Sequence, residues 1–142
     1  MGNIRALVTG GSGYYGSHLL QVLSASKQYR LGSLDLNPPT TINDRVKFHR
    51  ADIRNKNLLS EIISEYDVIF HNIAQVPLAK NNSLFWDVNV LGTKNICDVS
   101  LKYGIKRLIY TSSSAVYGVP ESNPVSEETN PIPNESYGAA KL

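Results

Sequence analysis

Residues 4–8 (Ile-Arg-Ala-Leu-Val) form a mostly apolar run with a β-branched end. Glycines follow at positions 10, 13 and 16, and a helical spacing of Leu19, Leu20, Val22 and Leu23 begins at once. An apolar run of this kind reads as a buried parallel strand. Gly10 permits a tight turn, Gly13 lets the backbone come close to a ligand, and Gly16 lets the helix pack against the strand. The alternation continues along the chain. Strands are expected over about 4–9, 29–35, 45–49, 67–72 and 106–112, and helices over about 14–27, 55–65, 83–103 and from 136 onward. Asp52 is placed at the exit of the third strand, Asn55 at the start of the second helix, and Gly104 as a helix stop.

Strands separated by helices form a parallel sheet covered on both faces. Right-handed crossovers then favour the doubly wound, Rossmann-like α/β arrangement, here with about five strands. Residues 118–135 hold four prolines and few apolar side chains, and read as a long surface loop.

The glycine spacing is G-x-x-G-x-x-G. Amides at the helix start, around Tyr14 and Tyr15, would face a dinucleotide pyrophosphate with the helix dipole behind them. Plain strand–turn–helix joints also carry glycine triplets, so the next strand matters. It ends in Asp35, 25 residues after Gly10. A carboxylate there accepts hydrogen bonds from both adenosine ribose hydroxyls and repels a 2′-phosphate, which favours NAD over NADP. No arginine follows immediately. Asp35 also suits a solvated turn before Asn37-Pro38-Pro39.

The 142 residues give room for one domain, and 42% hydrophobic with 18% charged residues suits a globular chain. The net charge of +2 is spread without a basic block, which points away from nucleic acid and from membrane surfaces. A single cysteine, Cys97, precludes an internal disulfide and reads as a small core residue. A reducing, cytoplasmic setting is expected. His18, His49 and His71 show no metal-site spacing. Phe85 and Trp86 read as core.

The fifth strand runs into Ser112, Ser113 and Ser114, beyond its carboxyl end, where open parallel sheets bind ligands. Tyr137 and Lys141 are four apart and share a helix face. An ammonium beside a phenol stabilises phenolate. Such a tyrosine can take the proton of a substrate alcohol while hydride leaves to NAD, with a strand-end serine holding the same oxygen. Taken alone, such a pair is more often an ordinary surface helix pair; with the glycine turn, Asp35 and the serine strand in this order, the catalytic reading leads.

With these residues in hand, the chain resembles the extended short-chain dehydrogenase/reductase family, in its NAD-dependent epimerase/dehydratase group. The likeness rests on residues 9–16, Asp35, residues 51–54, residues 71–74, residues 89–93, residues 112–118 and residues 137–141. It implies that Gly10, Gly13, Tyr14, Tyr15 and Gly16 hold the pyrophosphate and that Asp35 and Asn37 hold the adenosine ribose. Asp52 and Ile53 would meet the adenine, Ala74 the nicotinamide ribose pocket, and Asn89 would support the helix and the site. Ser113 takes the place of the catalytic Ser/Thr, with Ser112 and Ser114 as adjacent alternatives. Tyr137 is the acid–base residue, and Lys141 is its partner, which also bonds the nicotinamide ribose.

Sugar-nucleotide 4,6-dehydratases carry Thr-Asp-Glu where this chain has Ser113-Ser114-Ala115, so the resemblance implies a nucleotide-sugar epimerase or simple dehydrogenase. Two departures stand out. Tyr14-Tyr15 replaces a Phe and an aliphatic residue, and Asn72-Ile73 replaces Leu-Ala. The chain ends at Leu142, soon after Lys141. The expectation is an NAD(P)-binding domain over 1–142, incomplete at its C-terminus and without the substrate domain, with a homodimer or a complementing C-terminal half as protein partner. A non-catalytic fragment that holds NAD or a partner is the competing reading.

Overall fold

In the computed structural model, which describes residues 3–41, 43–76 and 82–142, strand β1 (Ile4–Thr9) occupies the middle of an all-parallel sheet. Its order is β3-β2-β1-β4-β5, with β2 at Tyr29–Asp35, β3 at Val46–Arg50, β4 at Val68–His71 and β5 at Arg107–Tyr110. β1 pairs with β2 on one side and β4 on the other, so the winding reverses beside it. That reversal opens a crevice at the carboxyl ends of β1 and β4.

Alternate residues of β1 feed two cores. Ala6 and Val8 pack with Leu20 and Leu31 under helix α1 (Tyr14–Ala25). Leu7 packs with Leu34, Ile69, Leu59, Ile63, Ile96 and Val99. These last lie under helix α2 (Lys56–Ile63) and helix α4 (Thr93–Lys102). With both faces covered, a central strand must be apolar throughout, as β1 is. Asn55 opens α2 by accepting a hydrogen bond from the Leu58 amide at 3.1 Å. Gly104 follows α4 with φ +64°, the left-handed cap that glycine favours.

The helix expected over 83–103 is in fact three joined pieces. α3 (Asn82–Trp86) leads into a π-helical turn at Asp87–Gly92 and then into α4. Gly92 lies against Ile53, whose side chain would meet any Cβ there. Phe85 is core as expected, whereas Trp86 is 42% exposed and Cys97 is only partly buried. β5 ends at Tyr110 rather than at 112, and the Thr111 amide makes the last bond, to His71 O at 3.0 Å. Residues 118–135 form no helix or strand, as expected. Among the described residues the β2–β3 crossover carries no helix, and a cavity of about 970 Å³ lies between it, α1 and β3. Among the described residues no helix is long and apolar enough to cross a membrane.

His71 and Thr9 pair across β1 and β4 at the carboxyl end of the sheet. Thr9 Oγ1 lies 2.7 Å from His71 Nδ1, and His71 Nε2 lies 3.0 Å from Thr93 Oγ1. Thr9 Oγ1 also accepts the Asn72 N–H at 3.2 Å. Donation from Thr9 to Nδ1 and from Nε2–H to Thr93 satisfies a neutral imidazole. His71 is fully buried, and that burial, with the Lys141 charge, pushes its pKa down to about 4.

This packing ties stability to pH. Between the ordinary histidine value and about 4, the unfolded chain takes up a proton at position 71 that the folded chain refuses. Stability should therefore fall as pH drops through that window, by on the order of 3 kcal/mol for this residue. His49, whose pKa burial also lowers, adds to the same slope. Urea midpoints measured from pH 7 to pH 4 should show a shallower fall in His71→Phe than in wild type. Separately, a Cβ on Gly32 would overlap the Tyr66 ring, whose hydroxyl is 2.6 Å from His49 Nε2. Gly32→Ala should lower stability by about 1–3 kcal/mol in the same assay.

Candidate nucleotide and catalytic site

The turn after β1 is built on contacts that leave no room for side chains. Gly10 has φ +72°, donates to Leu34 O at 2.8 Å, and accepts from Gly13 N at 3.1 Å. A Cβ at Gly16 would strike the Gly10 carbonyl, and one at Gly11 would strike Ser33 Oγ. α1 thus starts directly against the end of β1. Its N-cap, Gly13, supplies no side-chain cap. The first-turn amides of Tyr14, Tyr15 and Gly16 have no intrahelical acceptor, and the positive end of the helix dipole lies there. Tyr14 is 85% exposed and Tyr15 is also exposed, so neither ring closes the turn.

Asp35 meets this turn. Its carboxylate accepts from the Ser12 amide and from the Asn37 amide, each at 3.1 Å, and Ser12 Oγ donates to Asn37 O at 2.7 Å. Asp52 and Ile53 lie at the next strand end. The Asp52 carboxylate is engaged by the Arg54 amide and guanidinium, which hold it below the usual carboxylate range. An open cleft of about 500 Å³ adjoins it, lined by Asp52, Arg54, Asn55, Asp87 and Leu91. The Ile53 side chain turns into the core, and its carbonyl accepts from Asn95 Nδ2 at 3.1 Å.

Beyond β4, Ile73 packs over Gly10 and Ala74 is exposed. Asn89 is 2% exposed and pairs with the Gln75 backbone through two hydrogen bonds of 2.8 Å. Its amide therefore positions the segment leaving β4 from within the protein. The π-helical turn carries this asparagine, a geometry common at functional sites that helical periodicity in the sequence does not reveal.

The end of β5 gathers the remaining residues. A 3₁₀ turn spans Ser114–Tyr117, and helix α5 spans Ser136–Lys141. Ser113 caps the turn, its Oγ accepting the Ala115 amide at 3.2 Å. Ser112 Oγ donates to Lys141 O at 2.9 Å. Gly138 abuts the Ala115 carbonyl and Pro133, a gap closed to any Cβ, and Glu135 caps α5 through the Gly138 amide at 3.1 Å. Tyr137 is half-buried, its ring 6.5 Å from that of Phe85. Lys141 is 4% exposed and donates to Thr111 O at 2.8 Å, and burial lowers its pKa. Sequence reasoning missed Gln75, Thr93 and Tyr110, which hold these groups through long-range contacts.

A profile of the NAD dependent epimerase/dehydratase family matches residues 6–142. The uncharacterized protein y4nG of Sinorhizobium fredii is 50% identical over 96% of this chain, which spans 34% of that protein. UDP-glucose 4-epimerase 2 of Oryza sativa subsp. japonica is 36% identical over 99% of the chain and 39% of its own length. The crystal structure of the Thermus thermophilus UDP-glucose 4-epimerase complexed with NAD superposes with a TM-score of 0.86 at 32% identity, over 97% of this chain and 47% of that one. The chain thus spans less than half the length of these relatives. With a matched profile over nearly all its residues and a doubly wound sheet of the same shape, this chain belongs to the NAD dependent epimerase/dehydratase family.

Proposed function

We propose that this chain is the cofactor-binding part of an NAD-dependent oxidoreductase of the epimerase type, with a nucleotide sugar as substrate. The observation that carries this reading is the buried Lys141. Its ammonium is fixed on Thr111 O at the carboxyl end of β5, its backbone carbonyl accepts from Ser112 Oγ, and the residue lies one helical turn from Tyr137. The residues fit an NAD pyrophosphate: the turn at Gly10, Gly13 and Gly16 is packed so closely that a Cβ at 11 or 16 would strike protein and push the helix start away, and its helix-start amides lack intrahelical partners. Asp35 keeps lone pairs beyond its two backbone bonds for ribose hydroxyls.

Bound NAD would supply a hydride acceptor. In this reading the chain's residues handle the proton. Tyr137 takes it from the sugar hydroxyl and returns it when the hydride comes back. Ser113 holds that hydroxyl oxygen, and Lys141 places a positive charge near the phenolate and bonds the nicotinamide ribose. Asp52 and the Ile53 backbone border the adenine, Ala74 borders the nicotinamide ribose, and Asn89 braces the loop between them. The residues that select the sugar are to be sought in the part of the relatives that this chain does not span. A protein partner, whether a second copy or a C-terminal half, belongs to the same proposal.

A thermal-unfolding scan of the 142-residue chain tests the cofactor part. NAD at about 100 times its dissociation constant adds roughly 2.7 kcal/mol and should raise Tm by on the order of 10 °C. NADP should do far less, and equal or absent shifts would count against the reading. Asp35→Asn should weaken NAD binding by roughly ten- to a hundredfold in a calorimetric titration. In a longer protein that carries these residues, Tyr137→Phe should abolish turnover of the nucleotide sugar, and retention of full activity would remove Tyr137 from the mechanism.

A further inference from the structure

Lys141 is a buried ammonium with no carboxylate paired to it among the described residues. Besides its bond to Thr111 O, it stands over the face of the Tyr110 ring, 4.5 Å from the centroid. The same ring stacks on the His71 imidazole, with centroids 5.5 Å apart and planes 22° from parallel. The Thr93 side chain lies close enough to the Tyr110 hydroxyl to act on it electrostatically, and Thr93 Oγ1 is the group that His71 Nε2 reaches. The ring is thus held on its face by His71 of β4, with Thr93 of α4 beside its hydroxyl.

We infer that Tyr110 is a positioning residue, whose ring is the cation–π seat that keeps the Lys141 ammonium charged and fixed in the site, and that the Thr9–His71–Thr93 chain holds this seat in register. The functional consequence rests on the proposed role of Lys141 beside Tyr137; the seat itself does not. The physical need is plain. Burial disfavours the charged lysine, and a π face recovers part of what water would have given. The titratable groups around the ammonium are His71 from β4, Tyr110 from β5 and Tyr137 from its own helix, with Cys97 of α4 near Tyr110. A neutral His71 is therefore part of the arrangement, because an imidazolium under the same ring would repel the ammonium.

The test reads Lys141 directly, by heteronuclear NMR of lysine side chains in the 142-residue chain without NAD. The resonance is assigned by its loss in Lys141→Arg. In wild type the Lys141 ε-methylene protons should lie upfield of those of exposed lysines, because they sit in the shielding region of a ring. In Tyr110→Leu this displacement should vanish, and the Lys141 titration midpoint should fall by roughly one pH unit. Tyr110→Phe keeps the π face and loses only the hydroxyl, so it should retain both the displacement and the wild-type midpoint. A purely structural role would not separate Phe from Leu in this way.

An unchanged midpoint in folded Tyr110→Leu would overturn the inference. If that variant does not fold, wild type and Tyr110→Phe decide. Ordinary ε-methylene shifts in wild type, or a midpoint that falls in Tyr110→Phe, would equally overturn it. Because these readings are taken without cofactor, failure of NAD to bind would count against the proposed function and leave this result standing, and the converse holds as well.

Discussion

Everything at the carboxyl end of this sheet depends on how closely α1 approaches β1. Gly16 lies against the Gly10 carbonyl, and a single added carbon would push the helix off the strand. That contact sets where the first-turn amides point and how far Ser12 stands from Asp35. It also leaves the end of β1 open to β4, so that Thr9 and His71 can meet. Glycine is needed here for close approach, and at Gly10 for a left-handed turn.

From Thr9 a path of contacts runs through the core to the proposed acid–base pair. Thr9 bonds His71, and His71 bonds Thr93 and stacks on Tyr110. Tyr110 lies beneath Lys141. The proposed cofactor cradle and the proposed catalytic lysine therefore share one buried scaffold, formed by β1, β4, α4 and β5. The opposite end of the sheet is tied in another way. Arg5 grips Asp67 through two side-chain bonds of 2.9 Å, and Lys106 approaches the same carboxylate at 3.4 Å, which joins the starts of β1, β4 and β5. One end is locked by exposed charge and the other by buried neutral hydrogen bonds, which leaves the second end suited to holding a ligand.

Local signals made much of this legible in the sequence. Apolar periodicity placed the sheet and its main helices, because strands buried on both faces and amphipathic helices impose their own patterns along the chain. The glycine spacing, Asp35 and the Tyr137–Lys141 interval are visible as spacings, but each alone also suits an ordinary turn or surface helix, so it is their joint order along the chain that points to a site. The rest depends on side chains meeting across the fold. Nothing adjacent in sequence to His71 announces Thr9 or Thr93, which lie 62 and 22 residues away. Asn89 gives no local sign that its amide will pair with Gln75, nor Ile53 that its side chain will turn inward against Gly92. Trp86 looked apolar enough for the core, yet the outward side of α3 leaves it half-exposed, while its neighbour Phe85 is buried.

The central claim is that the glycine turn and the start of α1 form a pyrophosphate site with Asp35 at its edge. A two-dimensional amide NMR spectrum of the isotope-labelled 142-residue chain, recorded during titration with NAD, tests this residue by residue. The largest shifts should fall on the amides of Ser12, Gly13, Tyr14, Tyr15 and Gly16, followed by those around Asp35 and Asn37. Saturable shifts confined to the cavity between α1 and the β2–β3 crossover, or no saturable shifts in the turn at all, would contradict it.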